Sequence, residues 1–238
     1  MTASPSGWAE FTAAWAAFLA SHIVPARPAI RGALRARLGG RAYTALYSAV
    51  SLALLTWLIS AAARAPRIEL WEFAPWQLWV PNIAMPFACL LLAFGIAAPD
   101  PFSIAGRNKP AFGPERPGIA GITRHPLLWA VTLWAAAHLV PNGDLAHVIL
   151  FGLFAMFGLA GMAALDRRRR AEWGNDLWLK RTARTSLIPF AALLAGRSRA
   201  EGLRADPAVL AGALALYLAL LLLHPFVLGV SPLPPPLR

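Results

Sequence analysis

The sequence has few charged residues, and few of those are acidic. Charged residues make up 14% of the 238, with 11 Asp and Glu against 22 Lys and Arg. Soluble domains normally carry about a quarter charged residues, and this chain is 58% hydrophobic. The composition therefore excludes an ordinary soluble domain. It predicts an integral membrane protein whose main partner is the lipid bilayer.

Cysteine is nearly absent as well. The single cysteine, Cys89, lies inside an apolar run, so neither an intrachain disulfide nor a cysteine metal cluster can form. The net charge of +11 could suggest a nucleic-acid partner. However, the arginines fall in short clusters between apolar runs, which is typical of membrane topology signals. We therefore predict no nucleic-acid binding.

Apolar runs long enough to cross a bilayer, about 20 residues each, recur along the chain. They are Trp8–Val24, Ala42–Ala63, Trp76–Ala98, Leu145–Leu165 and Pro207–Val230, and the shorter Pro126–Val140 makes a sixth. Leu187–Ala195 is apolar but too short to span, which predicts a short re-entrant or interfacial helix. The predicted fold is an all-α polytopic membrane helical bundle of about six transmembrane helices, forming one domain over residues 1–238.

The distribution of basic residues predicts the topology. Basic residues are concentrated in the first, third and fifth loops, whereas Pro141–Asp144 has none. By the positive-inside rule, these odd loops lie in the cytoplasm and both chain ends lie outside. In Leu145–Leu165, glycines at 152, 158 and 161 predict close helix packing.

The segment Gly121–Asp144 has the most marked features. Pro126 suits the first position of a helix, and Pro141-Asn142-Gly143 would stop that helix sharply. The segment also carries two histidines, His125 and His138, about 20 Å apart along a helix axis at 1.5 Å per residue. It is therefore predicted to be a short membrane helix with a histidine at each end.

All five histidines lie within or at the ends of apolar runs; they are His22, His125, His138, His147 and His224. An ionisable side chain at membrane depth is costly, so each is a functional candidate. A neutral histidine is a good metal or haem ligand. The alternative is a histidine that is hydrogen-bonded to a neighbouring helix or lies at the headgroup level.

A second group of candidates is basic. Asp166 precedes Arg167, Arg168 and two further arginines, and it can pair along a helix with Arg170, four residues later. With Arg124 from the third loop, these residues predict a cytoplasmic-face site for an anionic group, since guanidinium groups suit carboxylate or phosphate. The alternative is a topology signal that binds anionic lipid.

Several of these residues carry a resemblance to a known family. They are Ser21-His22, Arg31, Gly39, Arg41, Tyr43, Tyr47, Gly121 to Pro126, His138 and Asp166-Arg167-Arg168. Across roughly residues 10–195 the chain resembles the NnrU family of bacterial membrane proteins, with an extra C-terminal span at 207–230. The resemblance implies a multi-pass protein of the bacterial inner membrane, linked to nitrite and nitric oxide respiration.

That family is similar to the 15-cis-zeta-carotene isomerases, which are haem b proteins of membranes. Carried over, this similarity implies haem b on His22 and His138 and isomerisation of a poly-cis carotenoid or another lipophilic small molecule. The isomerases have a cysteine three residues before the second ligand, where this chain has Ala135. His125 is the rival second ligand, because its predicted depth in the bilayer matches that of His22 better.

A more distant similarity links Arg124-His125-Pro126 to membrane methyltransferases of isoprenylcysteine and phospholipids, which use S-adenosylmethionine. Under that alternative, Arg124 and His125 would hold the carboxylate and adenosine end of the cofactor, with Asp166 and Glu172 nearby. A third reading is a non-catalytic membrane assembly protein. The sequence assigns no catalytic residue.

Overall fold

The computed structural model describes residues 6–25, 27–102, 112–199 and 206–234. Within these ranges it holds helices and no strand; the pairs Glu69–Asp144 and Gly113–Arg116 form isolated bridges. The helices are α1 (Ser6–Ile23), α2 (Pro28–Leu38), α3 (Gly40–Arg64), α4 (Trp79–Ala97), α5 (Pro126–Leu139), α6 (Leu145–Trp173), α7 (Asn175–Thr182), α8 (Ala191–Leu194) and α9 (Pro207–Leu228). The predicted all-α fold is confirmed.

Four helical segments of the described chain are long and apolar enough to cross a membrane, namely α3, Pro75–Ala97, α6 and α9. α5 is apolar but has 14 residues, which span about 21 Å at 1.5 Å per residue. Large apolar side chains lie exposed on these helices, as Met156 at 65% and Phe226 at 85% show. Exposure of such an apolar surface to water is unfavourable, so this surface faces lipid. The chain is a multi-pass membrane protein. The count of six spans stays a prediction.

The helices extend beyond the predicted apolar runs in two places. α2 occupies a stretch that the sequence suggested was a basic loop, and α6 continues past Leu165 through the arginines to Trp173. Arginine, alanine and glutamate favour helix. Arg168 also pairs with Glu172 one turn later, at 2.7 Å between Nε and Oε1, which supports the extension.

The chain divides into two compact units. Unit 1 comprises residues 1–72 and 143–150, and unit 2 comprises 73–142 and 151–238. In unit 1, α1 packs against α3. Arg64 at the end of α3 pairs with Glu10 near the start of α1 at 2.5 Å, while the rings of His22 and Tyr47 meet at the other end. The two helices therefore run antiparallel, joined by α2.

In unit 2, α4 packs against both α5 and α9. The Nδ2 of Asn82 on α4 donates to the carbonyl of Pro232 at 2.7 Å, which fixes the end of the described chain to that helix. α8 is a single turn within the predicted short apolar segment, and Leu194 at its end is 88% exposed. An exposed leucine in such a short helix fits the predicted interfacial position.

Glycine lets α5 and α6 approach closely at one point in unit 2. A Cβ on Gly158 would collide with the Oγ1 of Thr132 and lie 3.2 Å from the carbonyl oxygen of Leu128. Gly161 has ordinary contacts with Leu128, whereas Gly152 has nothing within 4 Å. The predicted small-residue packing is therefore confirmed at Gly158 and Gly161, and it is wrong for Gly152.

We expect Gly158→Ala to destabilise the protein by about 1–3 kcal/mol, the usual cost of overpacking. Thr132→Ala in the same chain should recover part of this loss, because it removes the colliding hydroxyl. Gly152→Ala on the same helix is the matched control and should leave stability unchanged or slightly higher, since alanine favours helix. Thermal unfolding in detergent measures all three. Equal effects of the two glycine substitutions would contradict the packing at Gly158.

Candidate functional site

An ion pair joins the start of α5 to α6 in unit 2. The guanidinium of Arg124 donates from Nη2 to Oδ2 of Asp166 at 2.6 Å and from Nε to Oδ1 and Oδ2 at 3.3 and 3.2 Å. The two side chains are only 13% and 14% exposed. This two-pronged geometry is the strongest that arginine forms with a carboxylate. The predicted grouping of Arg124 with Asp166 is present in the structure.

His125 completes this ion pair from the adjacent position. Its side chain is fully buried, and its Nε2 lies 2.8 Å from Oδ1 of Asp166. A carboxylate oxygen accepts hydrogen bonds, so Nε2 is the protonated nitrogen. The Nδ1 atom is buried and has no hydrogen-bond partner within the described part of the chain. Asp166 thus holds two basic side chains at once.

A segment after α7 closes over this cluster. The backbone N–H of Arg124 donates to the carbonyl of Ser186 at 2.8 Å. The Oγ1 of Thr123 and the Nε1 of Trp129 both donate to the carbonyl of Leu187, at 3.0 and 2.9 Å. Thr185, which is buried, accepts from Nη1 of Arg124 at 3.3 Å. These partners lie about 60 residues away with no periodic pattern, so they could not be predicted from the sequence.

The environment of Asp166 favours its charged form. Asp166 follows the apolar part of α6, which ends at Leu165. Burial opposes ionisation of the carboxyl, but the hydrogen bonds from His125 and Arg124 outweigh burial and lower the pKa of Asp166 below its usual value. The guanidinium of Arg124 also lies 5.5 Å from the ring centroid of Trp178. Asp166 therefore stays ionised at neutral pH.

The other arginines of the predicted anion site are engaged differently. Arg168 and Arg169 share the carboxylate of Glu172, and Arg170 donates to Oδ1 of Asn175 at 2.6 Å. The suggested pairing of Asp166 with Arg170 is therefore wrong, because Asp166 takes Arg124 instead. Arg167 is exposed. The structure thus groups Arg124 with Asp166 and gives Arg168 a separate partner.

His22 and His138 share one hydrogen-bonding arrangement. The Nδ1 of His22 lies 2.7 Å from the carbonyl of Phe18, and the Nδ1 of His138 lies 2.8 Å from the carbonyl of Trp134. A carbonyl only accepts, so Nδ1 carries the proton in both rings and Nε2 keeps its lone pair. No hydrogen bond to either Nε2 occurs among the described residues. Each ring is half-buried.

Aromatic rings surround both histidines. His22 lies 4.2 Å from Phe18 and 5.6 Å from Tyr47 between ring centroids, within unit 1. His138 lies 5.7 Å from Trp134 and 5.5 Å from Phe151, within unit 2. Both imidazoles therefore pack against aromatic side chains.

The remaining histidines are held in turns and helix ends. The Nδ1 of His147 lies 2.7 Å from Oδ2 of Asp144, and the Nδ1 of His224 lies 2.8 Å from the carbonyl of Val230. Both rings are hydrogen-bonded, but to residues at the ends of their own helices and not to a neighbouring helix as the alternative proposed.

Protein side chains alone would not enclose a metal ion. Among the described residues, no group of three or more His, Cys, Asp and Glu side chains could hold one. A porphyrin supplies four nitrogen ligands itself, so haem needs only one or two axial side chains. Taken separately, His22 in unit 1 and His138 in unit 2 each have a fixed tautomer and an Nε2 without a hydrogen bond among the described residues.

Comparison with known proteins gives relatives of two kinds. The family described as NnrU protein matches residues 10–232, beyond the predicted limit near residue 195. The chain is 30% identical to the chloroplastic 15-cis-zeta-carotene isomerase of Arabidopsis thaliana and 27% identical to that of Zea mays. These matches cover 67% and 68% of this chain.

The match to these relatives spans 44% of the length of each isomerase, so less than half of either plant protein is represented. No solved structure matches the chain. The family match covers most of the sequence, from within α1 to the end of α9, and includes both His22 and His138. The protein is therefore a member of the NnrU family.

Proposed function

We propose that this protein is a haem b-binding membrane isomerase that acts on a cis double bond of a carotenoid or a similar polyene. The proposal rests on one observation, that His22 and His138 have the same hydrogen-bonding pattern. In each ring Nδ1 donates to a carbonyl of its own helix, and Nε2 has no hydrogen bond among the described residues. The similarity to 15-cis-zeta-carotene isomerases supplies the reaction and the substrate class. The bacterial inner membrane is the proposed location.

His22 and His138 are the residues that would hold the haem. Histidine that ligates a metal usually donates its other ring N–H to a carbonyl or carboxylate, which fixes the tautomer and orients the ring. Phe18 and Trp134 supply those carbonyls from within α1 and α5. Haem b needs no covalent cysteine, which is compatible with a chain whose single cysteine, Cys89, is buried.

The bound haem would supply a ferrous Lewis acid that polarises the polyene. The protein's part is to hold the imidazoles and to exclude water. Phe18, Tyr47, Trp134 and Phe151 line the two histidines with aromatic surface, and such surface packs well against a flat conjugated molecule. Ala135, at the position of the isomerases' cysteine, is fully buried, so this chain has no thiol there to exchange as a ligand.

His125 is less suited than His138 to be the second ligand. Its Nε2 is engaged by Asp166, and its side chain is fully buried, whereas an axial ligand needs an open face toward the porphyrin. We assign the Arg124–His125–Asp166 cluster a structural role that joins α5, α6 and the segment at 185–187.

The same cluster bears on the methyltransferase alternative. Binding of S-adenosylmethionine would require Arg124 to pair with the cofactor's carboxylate, but Asp166 already occupies its Nε and Nη2 donors.

A role in nitrogen-oxide respiration rests on the family resemblance, and no contact in the described ranges favours it over isomerisation.

The test uses the full chain purified from haem-replete cells. We expect a Soret band in the oxidised and reduced absorption spectra, and we expect 15-cis-zeta-carotene in micelles to be converted when the protein is reduced. A colourless, folded protein would overturn the proposal. Haem without conversion would remove the isomerase assignment and leave haem binding. S-adenosylmethionine binding by calorimetry, lost in Arg124→Ala, would favour the methyltransferase.

A further inference from the structure

The connection between α1 and α3 has an unbalanced positive charge. The connection and the first turn of α3 contain five arginines, Arg27, Arg31, Arg35, Arg37 and Arg41, and no acidic residue occurs between Glu10 and Glu69. A topology signal needs only the charges and no particular structure. Here the stretch folds as α2, an 11-residue helix with proline at its start. A defined helix fixes where each guanidinium lies.

No counterion for these arginines lies among the described residues. All five are exposed, and none forms an ion pair or a side-chain hydrogen bond within the described part of the chain. The other basic segment differs, because Arg168 and Arg169 share Glu172, and Arg170 donates to Asn175. The first basic segment therefore has more guanidinium donors available to an external anion than the second, in which three of the four consecutive arginines are engaged.

The helix also has an apolar stripe between these arginines. At 100° per residue, Ile30, Leu34 and Leu38 share one side of α2. Arg31 and Arg35 follow on one flank of the stripe and Arg37 on the other. Alanine and glycine occupy the opposite side, at positions 29, 32, 33 and 36. Apolar residues flanked by arginines are typical of a helix lying in a bilayer interface, where arginine stems cover apolar surface and their heads reach the phosphates.

The position of α2 within unit 1 agrees with an interfacial location. It connects the end of α1 to the start of α3 where these antiparallel helices finish, beside His22 and Tyr47. α3 is long and apolar enough to cross the bilayer, so its first residues mark the membrane surface. Gly39, with φ of 79°, makes the turn from α2 into α3.

We propose that α2 is an interfacial helix that binds the phosphate groups of anionic phospholipids through Arg31, Arg35 and Arg37. Guanidinium groups pair with phosphate through two parallel hydrogen bonds. The occupant is a lipid rather than a free anion, because Leu38 at the end of the stripe is 43% exposed beside the start of α3, where acyl chains can cover it. Ile30 and Leu34 are half-buried. This inference is independent of the proposed isomerase activity.

The test is native mass spectrometry of the detergent-solubilised full chain, titrated with phosphatidylglycerol or phosphatidylcholine of identical acyl chains. We expect preferential retention of phosphatidylglycerol. The triple variant Arg31→Gln, Arg35→Gln, Arg37→Gln should lower its affinity on the order of 100-fold, since each basic residue near a membrane surface contributes about fivefold. The matched control, Arg168→Gln, Arg169→Gln, Arg170→Gln, removes the same charge and should change affinity a few-fold at most.

A second variant changes the position of two arginines on α2 but keeps the net charge of the helix, and with it the topology signal. Arg31→Ala, Arg35→Ala, Ala29→Arg and Ala36→Arg together preserve the number of arginines but move two to the other side of α2. We expect on the order of a 10-fold loss of phosphatidylglycerol affinity, with helix content unchanged by circular dichroism. Unchanged affinity would overturn the proposal, and so would equal losses in the triple variant and its control. Displacement of the lipid by millimolar inorganic phosphate would instead identify a free-anion site.

Discussion

His22→Ala and His138→Ala are each expected to remove or strongly shift the Soret band of the purified protein. The reason is that each ring offers an Nε2 lone pair with the tautomer fixed by its own helix. Loss of either histidine that would hold the haem should weaken haem retention and change its absorption. The measurement is the absorption spectrum in both redox states, together with the haem-to-protein ratio.

Two other histidines provide controls for this result. His147→Ala removes a ring whose Nδ1 is held by Asp144, and it should leave the Soret band unchanged. His125→Ala should also keep the band, although it removes a hydrogen bond to Asp166. A band that survives both His22→Ala and His138→Ala would contradict the assigned pair. A band lost in His125→Ala and kept in His138→Ala would show that membrane depth is the better guide to the second ligand.

The helices could be predicted from the sequence because their signal is local. Apolar runs about 20 residues long and a proline at a helix start are visible without any tertiary information, and α5 begins at Pro126 as predicted. The sequence pattern does not predict α2, because arginines clustered between apolar runs are typical of loops, although alanine, leucine and arginine favour helix. The apolar helices could therefore be predicted from hydropathy, whereas α2, whose helical structure depends on residue propensity, could not.

The candidate site was less predictable, because its contacts join distant parts of the chain. Asp166 had a possible local partner in Arg170, yet it pairs with Arg124, 42 residues earlier. The carbonyls of Ser186 and Leu187, which bind the start of α5, carry no sequence signal at all. Backbone acceptors are the same in every residue, so the sequence offers nothing to identify them. The residue types were predicted, and their partners came from the fold.

Asp166→Asn is expected to lower the free energy of unfolding by about 3 kcal/mol. The substitution leaves the guanidinium of Arg124 nearly buried without a countercharge, and removing one member of a buried ion pair typically costs about 3–5 kcal/mol. Glu172→Gln is the matched control on the same helix, since it breaks the more exposed pairs with Arg168 and Arg169. That change should cost less than about 1 kcal/mol. Thermal and denaturant unfolding in one detergent compare the two variants.

The pH dependence of the unmodified protein gives a second measure of the same ion pair. Because the pKa of Asp166 is lower in the folded state than its ordinary value of 3.8, its contribution is fully present above about pH 5. It is lost as the pH falls through the folded-state pKa. Asp166→Asn should therefore flatten the stability profile below about pH 5, whereas Glu172→Gln should leave most of that slope. Equal destabilisation by the two variants, with parallel acid profiles, would show that Asp166 does not hold Arg124 and His125 in place.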